Sequence, residues 1–354
     1  MKISILLPVF NADPYLSQCL NSIIQQTELD WELLAVNDFS TDRSEAILKT
    51  FAEKDARIQV FQNTEKGIIP ALRLAFENNR GELITRMDAD DVMAPEKLAV
   101  LKSNLIKNGQ GYLATGCVQY FKTEGSRSGN QNDEIHSLTA KEMSEKFPPN
   151  DGYFRYQNWL NELTIRNDNF SEIYKECVIP SPCWMVFRED LIRCGVFDNS
   201  TYPEDYDLCF RFYKNGLKVV GSEQVMHYWR DHSTRSSRTM EVYSNNNYFN
   251  LKLPYFLELE YDASRPLVLW GAGKKGKNLG QMLEIKGISY HWLCNNPRKW
   301  GIQLFGSTMD NFEKLATLEN PQVIVAVASP EGKAEILAYF EKLNLGSESY
   351  SFFT

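Results

Sequence analysis

Three aspartates, at 88, 90 and 91, stand within four positions directly after the short apolar run that ends at Met87. Asp88 and Asp90 are separated by Ala89, whose small side chain leaves room for a ligand close to the backbone. Carboxylate oxygens at a strand end suit a hard divalent cation, Mg²⁺ or Mn²⁺, which typically bridges to substrate phosphates. An Asp-x-Asp pair is short, however, and surface acids before a helix explain it equally well in isolation.

A second group of acids, Glu204, Asp205 and Asp207, opens an amphipathic helix. Acids in a first turn are also favoured by the helix dipole, so capping is an alternative explanation. A carboxylate there could take the proton of an acceptor hydroxyl, with a pKa raised by partial burial and by the neighbouring acids. We expect Asp205 to be this base and Glu204 to orient it or to cap the helix.

The segment 225–238 holds two histidines and three arginines. Its arginines, at 230, 235 and 238, could stabilise negative charge on a bound anion, although a solvated basic face is the alternative. His227 stands beside aromatic residues, as buried histidines usually do, whereas His232 follows in a polar stretch. Three aromatic residues of the preceding region could stack against a sugar ring, but packing is the more common reason for such clusters: Tyr153, Tyr156 and Trp159.

Alternating strands and helices must position these groups. The patterns predict strands at 3–10, 31–38, 57–63, 81–91 and 111–121, with helices at 13–26, 42–54, 69–79 and 95–108. This alternation indicates an α/β fold with a mostly parallel sheet and helices on both faces. Ligands bind beyond the carboxyl ends of such strands, so the polar strand ends should share one rim.

A second, smaller α/β domain is predicted after a helical linker, which gives domains at 1–238 and 265–354 and a linker at 239–264. The sequence GAGKKG (271–276) follows a strand and opens a helix, as phosphate-binding turns do. The next strand ends in Cys294, Asn295 and Asn296, without an acid for a ribose diol, which weakens the case for NAD. A structural or docking role explains this Rossmann-like domain about as well as a ligand site.

Several motifs together resemble family-two glycosyltransferases over about residues 1–240. They are ISILLPVFNADPYLSQCLNSIIQQT, WELLAVNDFSTDRS, the trio Asn63, Gly67 and Ala71, RMDADD, YPEDYDLCFR and WRDHSTRSSR. The resemblance implies a GT-A fold, a nucleotide-diphosphate sugar donor, a divalent metal and inversion at the anomeric carbon. Asn37 and Phe39 depart from the usual Asp and Gly of the second motif, which puts base recognition in question.

The resemblance also implies roles for individual residues. Asp38 would accept a hydrogen bond from the base, and Asp205 would be the catalytic base. Asp90 would bind the metal, and Asp88 the ribose or the metal. His232 would bind the metal or the diphosphate, with His227 as the competing candidate. The remaining nucleotide-sugar contacts would come from Pro8, Phe10, Asn11, Gly67, Met87, Ala89, Arg230 and Arg235.

Composition limits the function further. The chain has 354 residues and a net charge of −8, which argues against a nucleic-acid partner. Its seven cysteines include no Cys-x-x-Cys pair, which favours reduced thiols in the cytoplasm. No apolar run approaches the ~20 residues of a membrane span, and peripheral attachment at the inner face stays open.

The leading hypothesis is a bacterial glycosyltransferase of surface polysaccharide or glycoconjugate synthesis, with a UDP-sugar as the preferred donor and a glycan or lipid-linked acceptor. The alternatives are an NAD-dependent nucleotide-sugar oxidoreductase or epimerase, and a non-catalytic sugar-nucleotide binding protein.

Overall fold

The computed structural model describes residues 1–122, 139–198, 200–233, 235 and 248–354. The chain divides into two compact units. Unit 1 comprises Met1–Ser171 and Val178–Ser244, and unit 2 comprises Glu172–Cys177 and Asn245–Thr354. The helix expected in the linker belongs to unit 2, because its aromatic side chains pack against Phe353 near the end of the chain.

Unit 1 contains eight strands and eight α-helices in its described residues. The strands are β1 Ile3–Val9, β2 Trp31–Asn37, β3 Ile58–Gln62, β4 Leu83–Arg86, β5 Val92–Met93, β6 Tyr112–Lys122, β7 Trp184–Phe187 and β8 Lys218–Asp231. The helices are α1 Asp13–Ile24, α2 Ser44–Lys54, α3 Ile68–Glu77, α4 Lys97–Asn108, α5 Ala140–Lys146, α6 Asp151–Arg166, α7 Arg188–Arg193 and α8 Glu204–Lys214.

The eight strands form one mixed sheet in the order β3-β2-β1-β4-β7-β6-β8-β5. β3, β2, β1 and β4 are parallel neighbours, and β6 and β8 run in the same direction. Only β7 and β5 run the opposite way, since both pair antiparallel with their neighbours. The α/β fold class is confirmed. The carboxyl ends of the parallel strands β1 to β4 lie at one edge of the sheet, which is the predicted rim.

Local sequence explains the first elements. Every residue of β2 is buried, as expected for a strand covered by helices on both faces. Helix α1 has Pro14 in its first turn, where the missing N–H costs nothing, and it buries the apolar face formed by Leu16, Cys19, Leu20 and Ile23. These buried side chains belong to one hydrophobic core with β1 and β2.

The predicted strand 81–91 is shorter than expected. β4 ends at Arg86, and the backbone N–H of Asp91 donates to the carbonyl of Asp88 across a turn. The chain then forms β5, which pairs with β8 so that Met93 faces His227. The acidic segment is therefore a turn held between two parts of the sheet.

Helix α6 contains the predicted aromatic segment. Tyr153 contacts Tyr120, and Tyr156 stacks on Trp229. These rings and Trp159 pack against the core of unit 1, so packing is the role that the structure shows for them.

Unit 2 is a six-stranded sheet in the order β11-β12-β10-β9-β13-β14. Its strands are β9 Leu267–Trp270, β10 His291–Cys294, β11 Gln303–Leu304, β12 Ser307–Asn311, β13 Gln322–Val325 and β14 Tyr350–Phe352. Its helices are α9 Phe249–Leu259, α10 Lys274–Ile285 and α11 Pro330–Lys342. The neighbouring strands β12, β10, β9, β13 and β14 are all parallel, and their order is that of a doubly wound α/β sheet.

The glycine turn of unit 2 lies where predicted, between β9 and α10. Gly276 packs so closely on the turn that a side chain would meet the carbonyl oxygen of Gly271 at 1.9 Å. A cavity of about 310 Å³ opens beside it, lined by Ala272, Gly273, Lys274, Lys277, Asn278 and Lys299.

None of the helices in the described ranges combines the length and the apolar character that crossing a membrane requires.

Candidate active site

The acidic turn 88–91 directs its three carboxylates to different partners. Asp88 accepts a hydrogen bond from Nε of Arg86 at 3.1 Å. Asp90 pairs with His232, and Asp91 pairs with His227. The turn therefore directs its three carboxyl groups to three separate contacts.

The Asp90 contact faces the rim of the sheet. Oδ2 of Asp90 lies 2.8 Å from Nε2 of His232, and both side chains remain partly exposed. Burial opposes ionisation of Asp90, but the hydrogen bond from His232 and the charges of Arg235 and His232 outweigh it and lower its pKa. Asp90 is thus held as a carboxylate beside an imidazole nitrogen.

Arg230 secures the same turn from β8. Its Nε donates to the carbonyl oxygen of Asp90 at 2.6 Å, and its guanidinium also donates to the side chain of Gln18. The guanidinium lies over the rings of Tyr15 and Phe121, with its Cζ 4.8 and 4.6 Å from their centroids. Arg230 is almost fully buried, so its role is to hold the backbone of the acidic turn in place from the interior of the unit.

Asp91 belongs to the interior instead. Oδ2 of Asp91 lies 3.0 Å from Nε2 of His227, and Oδ1 accepts the backbone N–H of Arg230 at 2.8 Å. Nζ of the buried Lys97 lies 3.3 Å from Nδ1 of His227 and donates to the carbonyl of Pro182. Burial, with the nearby charges of Lys97 and Arg235, lowers the pKa of His227, which is therefore neutral. His227 is a structural residue, and His232 is the histidine that reaches the rim.

Arg86 connects the acidic turn to the second acidic cluster. Besides Asp88, its guanidinium donates to Oε1 of Glu204 at 3.0 Å, and Arg86 and Glu204 are both buried. Glu204 is the first residue of α8, and its Oε2 is buried without a hydrogen-bond partner among the described residues. One arginine thus joins two carboxylates that are 116 positions apart in the sequence.

Asp205 follows Glu204 and remains partly exposed. Burial and the negative charge of Glu204 raise its pKa to about 7, although Arg86 and the N–H of Tyr206 oppose the shift. A carboxylate with this pKa can accept a proton near neutral pH.

The corner formed by the ends of β1 and β2 holds the expected nucleotide residues. Pro8 is half-buried in β1, whereas Phe10 and Asn11 follow the strand and are exposed. Oδ1 of Asn11 accepts the backbone N–H of Thr41 at 2.8 Å, which ties the two strand ends together.

Asp38 is buried and already engaged by the protein. Its Oδ1 accepts from Nδ2 of Asn63 at 2.7 Å, and both of its oxygens accept from the N–H of Gly67. Gly67 has φ +138°, a conformation that side chains rarely adopt, and it precedes α3. Asp38 therefore anchors the loop after β3, and its contact with a base stays a prediction.

The structure brings together two of the three expected metal ligands. Asp90 and His232 are adjacent, but the carboxylate of Asp88 is turned to Arg86. Within the described ranges, no three His, Cys, Asp or Glu side chains are grouped closely enough to hold an ion. Met87 and Ala89, which adjoin Asp88 in the chain, are both buried. Arg238, the third expected arginine, lies outside the described residues.

Arg86 and Asp91 are the contributors that sequence reasoning missed. A charged residue at the end of the apolar strand LITR was a usable signal for Arg86, because unpaired buried charge is rare. No local signal separated the role of Asp91 from that of Asp90.

A family model supplies the deciding comparison. The model described as glycosyl transferase family 2 matches residues 4–195, more than half of the chain. The chain belongs to glycosyl transferase family 2. Its membership confirms the family expected from the motifs, and the matched range contains the acidic turn.

Curated relatives match family-2 segments of different length. Glycosyltransferase GlyG of Streptococcus pneumoniae is 28% identical over 241 residues, 67% of this chain and 73% of GlyG. Glycosyltransferase GlyA of the same organism is 36% identical over 125 residues, 35% of this chain and 18% of GlyA. A poly(ribitol-phosphate) beta-glucosyltransferase of Bacillus spizizenii is 36% identical over 133 residues, 35% of this chain and 20% of that protein. The match with the first three curated relatives spans 18%, 42% and 43% of their lengths.

Two solved structures are similar over about three quarters of this chain. S. aureus TarS 1–349 in complex with UDP-GlcNAc is 17% identical, with a TM-score of 0.49 and coverage of 74% of this chain and 68% of that one. The mannosyltransferase PcManGT from Pyrobaculum calidifontis, in complex with GDP-Man and Mn²⁺, is 17% identical, with a TM-score of 0.49 and coverage of 73% and 63%.

Proposed function

We propose that this family-2 protein is an inverting glycosyltransferase that moves a sugar from a nucleotide-diphosphate donor to an acceptor hydroxyl. One observation carries the proposal. The Asp90–His232 pair at the acidic turn and the Asp205 carboxylate are linked through Arg86, which bonds both Asp88 and Glu204. The pair that would bind a cation, Asp90 and His232, and the proton acceptor, Asp205, therefore belong to one connected site.

Asp205 is the general base of this proposal. Because its pKa is about 7, a substantial fraction is unprotonated at neutral pH and can take the proton of the attacking hydroxyl. Glu204 raises that pKa through its charge, and its own bond to Arg86 fixes the start of α8. Glu204 is thus a positioning residue beside the base.

Arg230 and Arg235 supply positive charge on the donor side. The charge of Arg235 lowers the pKa of Asp90, which indicates that the guanidinium lies near the acidic turn. Arg230 bonds the backbone of the same turn. Positive groups held in this way stabilise the charge that grows on a leaving diphosphate, because they need no rearrangement during the reaction.

Asp90 and His232 are the residues that would hold a divalent cation. Their contacting atoms, a carboxylate oxygen and an imidazole nitrogen 2.8 Å apart, are a donor set that Mn²⁺ accepts, with Mg²⁺ as the alternative. When bound, the cation would offset negative charge on the diphosphate. Asp88 would orient the turn through Arg86 rather than complete the ligand set.

The donor, the acceptor and the place of action are finer proposals. We propose a UDP-sugar donor, a glycan or lipid-linked acceptor and a role in surface glycan synthesis at the inner face of the membrane. Support for a surface glycan comes from a relative named as a poly(ribitol-phosphate) beta-glucosyltransferase, which matches 35% of this chain.

Donor screening tests the proposal. UDP- and GDP-sugars are incubated with the protein and Mn²⁺, and release of the nucleoside diphosphate is measured with and without chelator. We expect release that depends on the metal, retained donor binding in Asp205→Asn, and loss of transfer by at least about a hundredfold, the usual scale of general-base contributions. Full turnover in Asp205→Asn would remove the base assignment, and binding of NAD without sugar transfer would favour an oxidoreductase.

The Asp205→Asn variant can be checked for folding by its stability. Because the folded protein raises the pKa of Asp205 from its ordinary value of 3.8 to about 7, stability falls as pH rises between these two values, and the ionised carboxylate keeps its full cost above pH 7. The asparagine variant should therefore melt no lower than the wild type at pH 8. A lower melting temperature would attribute lost transfer to unfolding.

A further inference from the structure

We propose that Phe39 is a specificity-determining residue whose ring stacks on the base of the nucleotide donor, beside the Phe10 ring already expected to contact the nucleotide. This inference rests on the proposed function and gives a role to a residue that the motifs left without one. Phe39 has φ +56°, in the left-handed region, and 43% of its surface is exposed. A bulky residue in this region is a conformational outlier that needs an explanation.

Hydrogen bonds around Phe39 hold this unfavourable conformation in place. The N–H of Asp38 donates to the carbonyl of Val9 at 2.7 Å, immediately before Phe39. The N–H of Ser40, immediately after it, donates to Oδ1 of Asn37 at 3.3 Å, and Oγ of Ser40 accepts the N–H of Asn11 at 3.1 Å. The strand ends are therefore tied on both sides of Phe39, and the backbone cannot relax without breaking these bonds.

Packing does not account for the phenylalanine at this position. In the part of the chain that the structure describes, Phe39 has no ring contact with another aromatic side chain, and the residue is 43% exposed. A glycine would satisfy the backbone conformation at no steric cost. The chain thus maintains an exposed ring in a strained conformation, which is a pattern found at ligand sites.

A second exposed ring lies at the neighbouring strand end. Phe10 directly follows β1, and 49% of its surface is exposed. β1 and β2 are adjacent and parallel, with Val9 opposite Asn37, so both rings stand at the same carboxyl edge of the sheet. Nζ of Lys66 lies 4.9 Å from the centre of the Phe10 ring and adds a positive charge at this corner.

Nucleotides bind at this edge in open α/β sheets, and aromatic faces stack on any base. The alternative is a hydrogen bond between the base and Asp38, but both oxygens of Asp38 already accept from the N–H of Gly67. Two exposed rings beside an engaged carboxylate therefore fit a base that is bound chiefly through its face.

The test compares wild type with Phe39→Gly, using UDP, GDP and inorganic pyrophosphate as probes in calorimetric titrations with Mn²⁺. We expect affinity for the nucleoside diphosphate to fall about tenfold or more, the scale of losing one stacked ring. Affinity for pyrophosphate should stay unchanged, since it has no base. The melting temperature should stay or rise, because glycine accepts φ +56° without strain.

Two further variants make the result specific. Phe39→Tyr keeps an aromatic face and should retain wild-type affinity. Phe305→Gly is the matched control, since Phe305 also has a left-handed φ, +49°, but stacks on Trp292 within unit 2. It should leave nucleotide affinity unchanged.

The outcomes separate the stacking role of Phe39 from the wider function. If wild type binds a nucleoside diphosphate and Phe39→Gly binds it equally well, the stacking role is wrong while the transferase proposal stands. If Phe39→Gly lowers the melting temperature and weakens pyrophosphate as much as nucleotide, the ring supports the loop and the stacking role is likewise wrong. If wild type binds neither UDP nor GDP, the proposed function itself fails.

Discussion

Two adjacent carboxylates at the start of α8 acquire different properties from their surroundings. Glu204 is buried and ion-paired with Arg86, whereas Asp205 is partly exposed and bonds only the N–H of Tyr206 among the contacts described for it. Burial and the charge of Glu204 raise the pKa of Asp205 to about 7. Neighbouring acids that differ in environment are a common way to obtain one proton acceptor and one fixed charge.

The pH dependence of transfer follows from this pair. Asp205 accepts a proton only when it is ionised, so kcat/KM should level off above pH 7 and fall about tenfold per unit well below it. Glu204→Gln removes the negative charge that raises this pKa. We therefore expect the midpoint of the kcat/KM profile to move to lower pH in Glu204→Gln.

Glu189→Gln is the matched control, since Glu189 is an exposed acid on α7 of the same unit. Its midpoint should equal that of the wild type. A Glu204→Gln profile superimposable on wild type would contradict the electrostatic coupling between the two acids.

At the scale of elements, β8 organises the site because it carries His227 and Arg230 and ends directly before His232. It pairs with β6 over its whole length and with β5 near the acidic turn. Its early part lies under α6, where the N–H of Gly221 donates to the side chain of Asn167 at 2.6 Å. Close approach of α6 to β8 therefore depends on a residue without a side chain.

Gly221→Ala should destabilise unit 1 for this reason. A Cβ at Gly221 would meet the backbone carbonyl oxygen of Thr164 at 2.0 Å, and a helix backbone cannot move aside as a flexible side chain can. We expect a loss of about 1–3 kcal/mol in the free energy of unfolding, the usual cost of overpacking, measured by urea denaturation.

Gly152→Ala is the opposite case within α6. A Cβ there would meet only the side-chain oxygen of Asn150, at 3.4 Å, so the alanine should stabilise the helix by about 0.5–1 kcal/mol. Equal effects of the two substitutions would show that the approach of α6 to β8 is not limited by Gly221.

At the scale of the whole molecule, two compact units each have a core of their own. The core of unit 2 is built around Trp270, which contacts the rings of Phe312, Tyr339 and Phe340. Its indole N–H donates to Oδ1 of Asn295 at 2.8 Å. The residues proposed to bind the nucleotide and the proposed general base, Asp205, all belong to unit 1.

In a thermal scan of the full chain, Trp270→Ala should therefore make unit 2 unfold at a lower temperature than unit 1. Removing a fully buried tryptophan costs about 3–5 kcal/mol, and the loss should lower one calorimetric transition while the other keeps its midpoint. Nucleotide binding should persist at temperatures between the two transitions. A single transition that shifts as a whole, with binding lost, would mean that the two units unfold together.

Sequence periodicity was sufficient for several elements of unit 1, although it did not show that the predicted strand 81–91 ends at Arg86 or that β5 follows it. Buried apolar runs such as β2 and the one-sided pattern of α1 are local properties, and both form where predicted. The gathering of polar groups at one rim also followed from the sequence, because parallel strands place their carboxyl ends on the same edge.

Only the tertiary structure decided the partners within that rim. Asp90 and Asp91 are neighbours of the same type, yet one reaches His232 and the other His227. The link of Arg86 to Glu204 and the left-handed φ of Phe39 likewise depend on contacts between distant segments. Residue types and spacing therefore determined which chemistry the chain carries, whereas the pairing of β5 with β8 and the bonds between strand ends determined which side chain performs each part, because these contacts have no local signature.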